Sequence, residues 1–316
     1  MWCGMLSTVD HVNHTFHQPF RMKHSIDPKV DCVFKAILGA QEHTNLLIHF
    51  LNATLAGELE SPIVSVEILN PYNDKEMLDE KLSIVDIKAR DNKFHIYQIE
   101  IQLLNYRNIP ARIAYTWADI YSKQLKEGVN YLELKPTYSI WLLGERINKD
   151  KGYIRNYKLR DQKGELLLDN GGIWILELPK FDETTVTTEL DRWLKLFKVG
   201  DQLDDTRLPD WMQTPEMEQV MAVLNRFSEK EYDYHIYQTR QNYLREQKTI
   251  QLELEEALRE KEAERQAKEV ERQAKEEALQ KEQVERKAKE EALQREADAL
   301  AELAKLRAEL DQARKK

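Results

Sequence analysis

Asp86 and Glu100 each interrupt the apolar alternation of a strand-like segment in LSIVDIKARDNKFHIYQIEIQ, residues 82–102. The first segment, Leu82–Arg90, is rich in β-branched residues, and the second, Phe94–Leu103, in isoleucine and aromatics. Asp91-Asn92-Lys93 between them is polar and turn-forming, so the spacing predicts a hairpin with Arg90 facing Phe94 and Asp86 facing Gln98. Period-two alternation then puts Asp86, Lys88, Gln98, Glu100 and Gln102 on one face, and Val85, Ile87, Ile99, Ile101 and Leu103 on the other. Two carboxylates, a lysine and two amides suit a hard divalent cation such as Mg²⁺. That ion takes oxygen ligands and needs only one or two protein carboxylates when water and a phosphate complete its shell. It also acidifies a bound water and stabilises charge on a phosphoryl group under attack. The competing reading is a solvated outer face of an antiparallel sheet, where acids and amides are routine. Ile84 and Phe94, expected on the same face, point to partial cover, which makes the acids costly there and favours the cation.

The elements that must position this patch follow from periodicity. Asp31–Leu55 reads as a helix with an apolar stripe (Val33, Ile37, Leu46, Leu47, Phe50, Leu51), interrupted near Gly39. Asp31 and Lys35 lie four apart on its polar side, an acid-before-base spacing that helices favour. Ile63–Leu69 reads as a strand ended by the turn cluster Asn70-Pro71-Tyr72-Asn73-Asp74. After the hairpin, Arg107–Lys126 has helical spacing through Ile113, Trp117, Ile120, Tyr121 and Leu125 and stops at Gly128. Its back carries Arg112, Lys123 and Gln124, which either reach phosphates or form an ordinary charged face. Tyr138–Leu143 is an apolar strand, so the order is αβββαβ, an α/β (α+β mixed-sheet) domain. Further strands are expected at Tyr153–Leu159, Glu165–Leu168 and Gly172–Leu178, and amphipathic helices at Glu189–Lys198 and Pro215–Phe227. Trp193, Leu194 and Phe197 are expected in the core rather than as a base-stacking platform.

Four ordered blocks carry a resemblance to a known family: DPKVDCVFKAILG (27–39), LDEKLSIVDIKARDNKFHIYQIEIQ (78–102), RIAYTWADIYSKQLKEGVNY (112–131) and ELKPTYSIWLL (133–143). Together they resemble the Rpn recombination-promoting nucleases, also described as putative transposases, within the PD-(D/E)XK nuclease superfamily. The resemblance spans roughly residues 22–200. It implies a restriction-endonuclease-like core and a metal-dependent DNA endonuclease, hydrolysing phosphodiesters with Mg²⁺ or another divalent cation such as Mn²⁺ or Ca²⁺. Residue by residue, it implies that Asp86 is the central metal-binding aspartate and Glu100 the acid of the (D/E)XK element, with the backbone carbonyl of Ile101 adding a ligand. It further offers Asp31 as an additional acid on the first helix, though charge complementarity at a helix start explains that residue equally well. The third position of the element, normally lysine, is Gln102 here, a departure also seen in the Rpn-like group. A glutamine positions water only through hydrogen bonds. Lys88, on the same face as Asp86, is the candidate for the missing cation, set against a reading as a snorkelling surface lysine.

Composition limits the alternatives. The chain has 316 residues and a net charge of −9, so a generally basic nucleic-acid binder is excluded and DNA contact requires a local basic patch or metal ions. Only Cys3 and Cys32 are present, which rules out a disulfide framework and a cysteine-based zinc site. No run reaches membrane-spanning length and no secretory signal is recognisable, so a cytoplasmic, reducing setting is expected. His11, His14 and His17 lie within residues 1–21, which are expected to be a disordered extension. The nuclease-like domain is assigned to residues 22–228 and a long charged helix to 229–316.

That helix carries a heptad-based repeat: ERQAKEEALQ (271–280) recurs as ERKAKEEALQ (285–294). Its seam is poor, with charged or small residues at many core positions, whereas pairs such as Glu264–Lys268, Glu271–Lys275, Glu282–Arg286 and Glu291–Arg295 favour a solitary helix. A better stripe, Leu300, Leu303, Leu306 and Leu310, would support a homodimer. The tail is therefore either a charged spacer or a weak coiled coil. For the whole chain the alternative to a nuclease is a catalytically decayed fold that binds DNA or protein and oligomerises through the tail.

Overall fold

The computed structural model describes residues 22–69, 86–104, 108–182, 184–204 and 207–314. Val85, Ile84, the turn cluster at 70–74, and the histidines at 11, 14 and 17 lie outside these residues. The chain forms two compact units, residues 1–247 and 248–316.

In the first unit, α1 (Asp31–Leu38) and α2 (Thr44–Thr54) replace the single interrupted helix read from the sequence, with a short 3₁₀ turn after Gly39. Six strands follow: β1 (Val66–Leu69), β2 (Ile87–Asp91), β3 (Ile96–Gln102), β4 (Thr137–Leu143), β5 (Ile154–Tyr157) and β6 (Gly171–Glu177). The helix α3 (Ile109–Ser122) connects β3 to β4, and α4 (Glu189–Val199) and α5 (Pro215–Glu229) come after the sheet. The sheet order is β1-β2-β3-β4-β6-β5. Pairing is antiparallel across β1-β2-β3 and β6-β5, and parallel across β3-β4-β6. The expected αβββαβ order is therefore present. The expected strand at Glu165–Leu168 is reduced to a single bridge between Arg160 and Leu166.

Both faces of the sheet are covered. On one face, Ile87, Ile99, Ile101, Ile140, Leu142 and Leu176 pack with residues of α1, α2, α4 and α5, including Phe34, Phe50, Trp193 and Phe197. On the other, Ile109 and Ile113 of α3 close over Trp141, Leu143 and Ile175. Cover on both sides leaves β4 buried along its whole length rather than alternating. Trp193, Leu194 and Phe197 are buried, as their spacing predicted.

The hairpin register differs from the sequence reading by two residues. Lys88 pairs with Gln98 and Arg90 with Ile96, so the loop is Asn92–Phe94 rather than Asp91–Lys93. The cause is Asp91, which ends β2 instead of opening the turn. Its N–H donates to the His95 carbonyl (3.1 Å) and its Oδ1 accepts from the Lys93 and His95 amides, each at 2.9 Å. Its Oδ2 accepts from the Tyr97 hydroxyl at 2.9 Å. A carboxylate with that many donors is better placed at the strand end than in a solvated turn. A slip of two leaves face parity intact, so the expected partition into polar and apolar faces survives.

The final helix, α6 (Glu231–Arg314), begins within the first unit, where Tyr237 is buried and its hydroxyl accepts from the Asp27 amide at 3.1 Å. In the second unit every described side chain from Leu252 onward is exposed. Glu264–Lys268, Glu271–Lys275 and Glu291–Arg295 form the expected pairs at 2.6, 2.5 and 3.3 Å, while Arg286 turns to Glu290 instead of Glu282. No helix among the described residues is long and apolar enough to cross a membrane.

Gly171 opens β6 at φ +85°, and a Cβ there would lie 2.3 Å from the Thr137 carbonyl oxygen. Gly171→Ala combines a left-handed backbone with a collision against a neighbouring strand, and it should lower unfolding free energy by at least about 2 kcal/mol. Urea titration measures this; a loss below about 0.5 kcal/mol, the usual range of neutral surface changes, would show that the start of β6 yields instead.

Candidate metal-binding site

The pairing Ile87↔Ile99 continues one residue outward to bring Asp86 opposite Glu100. The two carboxylates then brace each other through the backbone. Asp86 N–H donates to Glu100 Oε2 at 2.9 Å, and Ile101 N–H donates to Asp86 Oδ2 at 2.9 Å. Glu100 is only 4% exposed, so this patch is not the solvated face that residue types alone would allow.

Two cations hold the remaining oxygens. Arg112 on α3 donates from Nη2 to Glu100 Oε1 and from Nη1 to Gln102 Oε1, both at 2.7 Å. Its guanidinium also lies over the Trp141 ring, 5.5 Å from the centroid, which fixes its plane. Lys35 on α1 sits 3.1 Å from Asp86 Oδ1. That contact depends on a close approach of α1 to β2, because a Cβ on Gly39 would meet the Lys35 carbonyl at 2.9 Å and Ile87 Cγ1 at 3.2 Å.

The sequence-expected residues divide as follows. Asp86, Glu100, Gln102 and the Ile101 backbone come together. Lys88 lies on the same face, two residues along β2 from Asp86. Asp31 does not join them: one helical turn before Lys35, it lies 3.7 Å from Arg240 Nε instead. The i,i+4 pair that marked Asp31 was informative, but its basic member is the one that faces the acids. Gln102 also departs from expectation, since its Nε2 donates to the Leu104 carbonyl at 2.7 Å while its Oε1 holds Arg112. Both ends of the amide are committed to positioning a cation. In the sequence Arg112 reads as a phosphate contact or part of an ordinary charged face, and nothing in the strand spacing signals that α3 returns it to Glu100.

A hard cation fits this donor set. Asp86 and Glu100 present carboxylate oxygens, and the Ile101 N–H already points at Asp86, so its carbonyl is turned to the same strand edge. Among the described residues no cluster of three or more His, Cys, Asp or Glu is formed. Gln98, fully buried beside Glu100, takes the Ser139 hydroxyl on Oε1 at 2.8 Å, but its Nε2 has no partner among the described residues. An ordered water would satisfy that donor.

Burial, together with the Asp86 carboxylate, pushes the Glu100 carboxyl from 4.5 up to about 8, against the opposing pull of Arg112. The folded chain thus binds this proton more tightly than the unfolded chain. The stabilisation from protonated Glu100 is full below about pH 4.5 and is lost as pH rises toward 8. In metal-free buffer the stability of Glu100→Gln relative to wild type should therefore climb across that window, whatever its offset at acid pH. Urea unfolding at several pH values measures the slope, and a constant difference would contradict it.

A family model described as "PD-(D/E)XK nuclease family transposase" matches residues 28–257. Neither the curated proteins nor the solved structures contain a match. The family match covers well over half the chain and includes every residue of the site just described. The chain belongs to the PD-(D/E)XK nuclease family transposases.

Proposed function

We propose that this chain is a metal-dependent DNA endonuclease centred on Asp86, Glu100 and the Ile101 carbonyl. The observation that carries this reading is the mutual bracing of a buried carboxylate, Glu100, and a half-buried one, Asp86, on adjacent strands, with Arg112 and Lys35 at their outer oxygens. A bound Mg²⁺, Mn²⁺ or Ca²⁺ would supply Lewis acidity toward water and the scissile phosphate. The chain's own residues do the rest. Asp86 and Glu100 present the ligand oxygens, and the backbone bonds keep them from splaying. Gln102 orients Arg112, which takes the place of the motif lysine in offsetting charge on the phosphate. Lys88 lies about 7 Å along β2 from Asp86 at the usual strand rise and contacts the substrate beside the reacting group. Water adds to phosphorus in line, the bond from phosphorus to the leaving sugar oxygen breaks, and that oxygen takes a proton.

The transposase description of the family supports a setting in recombination or mobile elements. Leu300, Leu303, Leu306 and Leu310 form an exposed stripe that would pair two copies and couple two cuts. A second reading, a decayed nuclease fold used as a binding module, draws on Gln102 standing where the motif has lysine.

Nicking of supercoiled plasmid with Mg²⁺, Mn²⁺ or Ca²⁺ separates the two. Wild type should nick and Asp86→Ala should not; Arg112→Ala should lose about 10²-fold or more, the usual effect of removing one charge-stabilising donor. Lys88→Ala should slow cleavage while cation binding, followed by calorimetry, is retained. Equal nicking by wild type and Asp86→Ala would expose a contaminant, and no nicking by either would favour the binding module.

A further inference from the structure

Beside the candidate centre, on the α3 face of the sheet, lies an open groove of about 510 Å³. Lys88, Arg90, Lys123 and Lys135 line it with Glu133; Arg90 pairs with Glu67 at 2.7 Å and Lys123 with Asp119 at 3.2 Å. Counting Glu133, Glu67 and Asp119 against the four cations, the groove is slightly positive in a chain of net charge −9. The floor is apolar, formed by Leu69, Ile96 and Ile120. At the rim Phe94 is 57% exposed, with the Arg90 guanidinium 5.6 Å from its ring centroid. Phe94 is also the one described non-glycine residue at positive φ, +66°. An exposed ring on a backbone conformation that phenylalanine disfavours is a feature that folding alone does not reward.

Cations, an apolar floor and an accessible aromatic ring address two different parts of a nucleotide. Phosphates pair with the cations, and base faces stack on the ring or cover the floor. A duplex hides its base faces within its own stack; a single strand exposes them. We propose that this groove binds one or two unpaired nucleotides of a DNA strand next to the cleaved phosphate, with Phe94 as the stacking platform. The proposal rests on the nuclease reading for the direction of the strand, because Lys88 borders both the groove and Asp86. The position follows from strand geometry: Arg90 lies about 13 Å along β2 from Asp86, so the groove holds nucleotides beyond the scissile one.

The test is equilibrium binding by the full chain in EDTA, where cleavage is absent, using fluorescent oligothymidylate and a duplex of equal length. Phe94→Gly removes the ring and also suits the left-handed backbone, so it should fold at least as well as wild type. It should weaken single-strand binding about tenfold and leave duplex binding unchanged, while Phe94→Tyr retains affinity. Lys123→Gln and Lys135→Gln should each flatten the salt dependence of single-strand binding by about 0.7 in the log–log slope. The proposal is overturned if Phe94→Gly binds oligothymidylate like wild type, if it weakens both nucleic acids alike, or if wild type prefers duplex. These outcomes are independent of the nuclease reading. A chain that nicks through Asp86 yet is indifferent to Phe94 would lose only the groove, and one that binds through Phe94 yet never nicks would lose only the catalysis.

Discussion

The site depends on keeping two like charges close together inside a sheet. Asp86 and Glu100 sit on adjacent antiparallel strands, and each accepts a backbone amide from the other's strand. Those two bonds set the spacing of the carboxylates without using their remaining oxygens. Desolvation and mutual repulsion would otherwise drive such a pair apart or neutralise it, and the upward shift of Glu100 records that pressure. Arg112 and Lys35 relieve it from opposite sides of the sheet, one on α3 and the other on α1. A small divalent cation is a third way to relieve the same repulsion, and the only one that also brings water to the acids.

The cations around the site have different constraints. Arg112 is fixed by Glu100, Gln102 and the face of Trp141, so it is a preorganised charge. Lys35 is 41% exposed and rides on a flexible stem, so it can leave Asp86 at little cost when another cation arrives. Gln102 in the usual lysine position then has a physical rationale. A lysine there would compete with Arg112 for Glu100, whereas an amide accepts from Arg112 and donates to the Leu104 carbonyl. In the proposed nuclease reading, the positive charge of the motif comes from the helix rather than from the strand.

Much of this was legible in the sequence, for a reason the hairpin makes plain. Period-two alternation fixes which residues share a face, and a slip of two residues does not alter it. Asp86, Lys88, Gln98, Glu100 and Gln102 were therefore grouped correctly from a register that was itself wrong. The error came from Asp91, whose partners include the Tyr97 hydroxyl, a contact that turn propensity does not anticipate. Contacts between elements were harder still. On α1 the Asp31–Lys35 spacing located the right helix face, but which member reaches Asp86 depends on the approach allowed at Gly39. The role of Arg112 depends on how α3 crosses from β3 to β4. Net charge was informative in the same limited way: −9 required any DNA contact to be local, and the proposed groove draws its cations from β2, the residue after α3 and the segment before β4.

The central claim is that Asp86 and Glu100 jointly ligate one cation. Anomalous diffraction from crystals grown with Mn²⁺ tests it most directly. The account expects a single strong peak between the two carboxylates, within roughly 2.0–2.6 Å of an oxygen from each, with Lys35 withdrawn from Asp86. Manganese bound elsewhere, with both carboxylates still locked on Lys35 and Arg112, would contradict it.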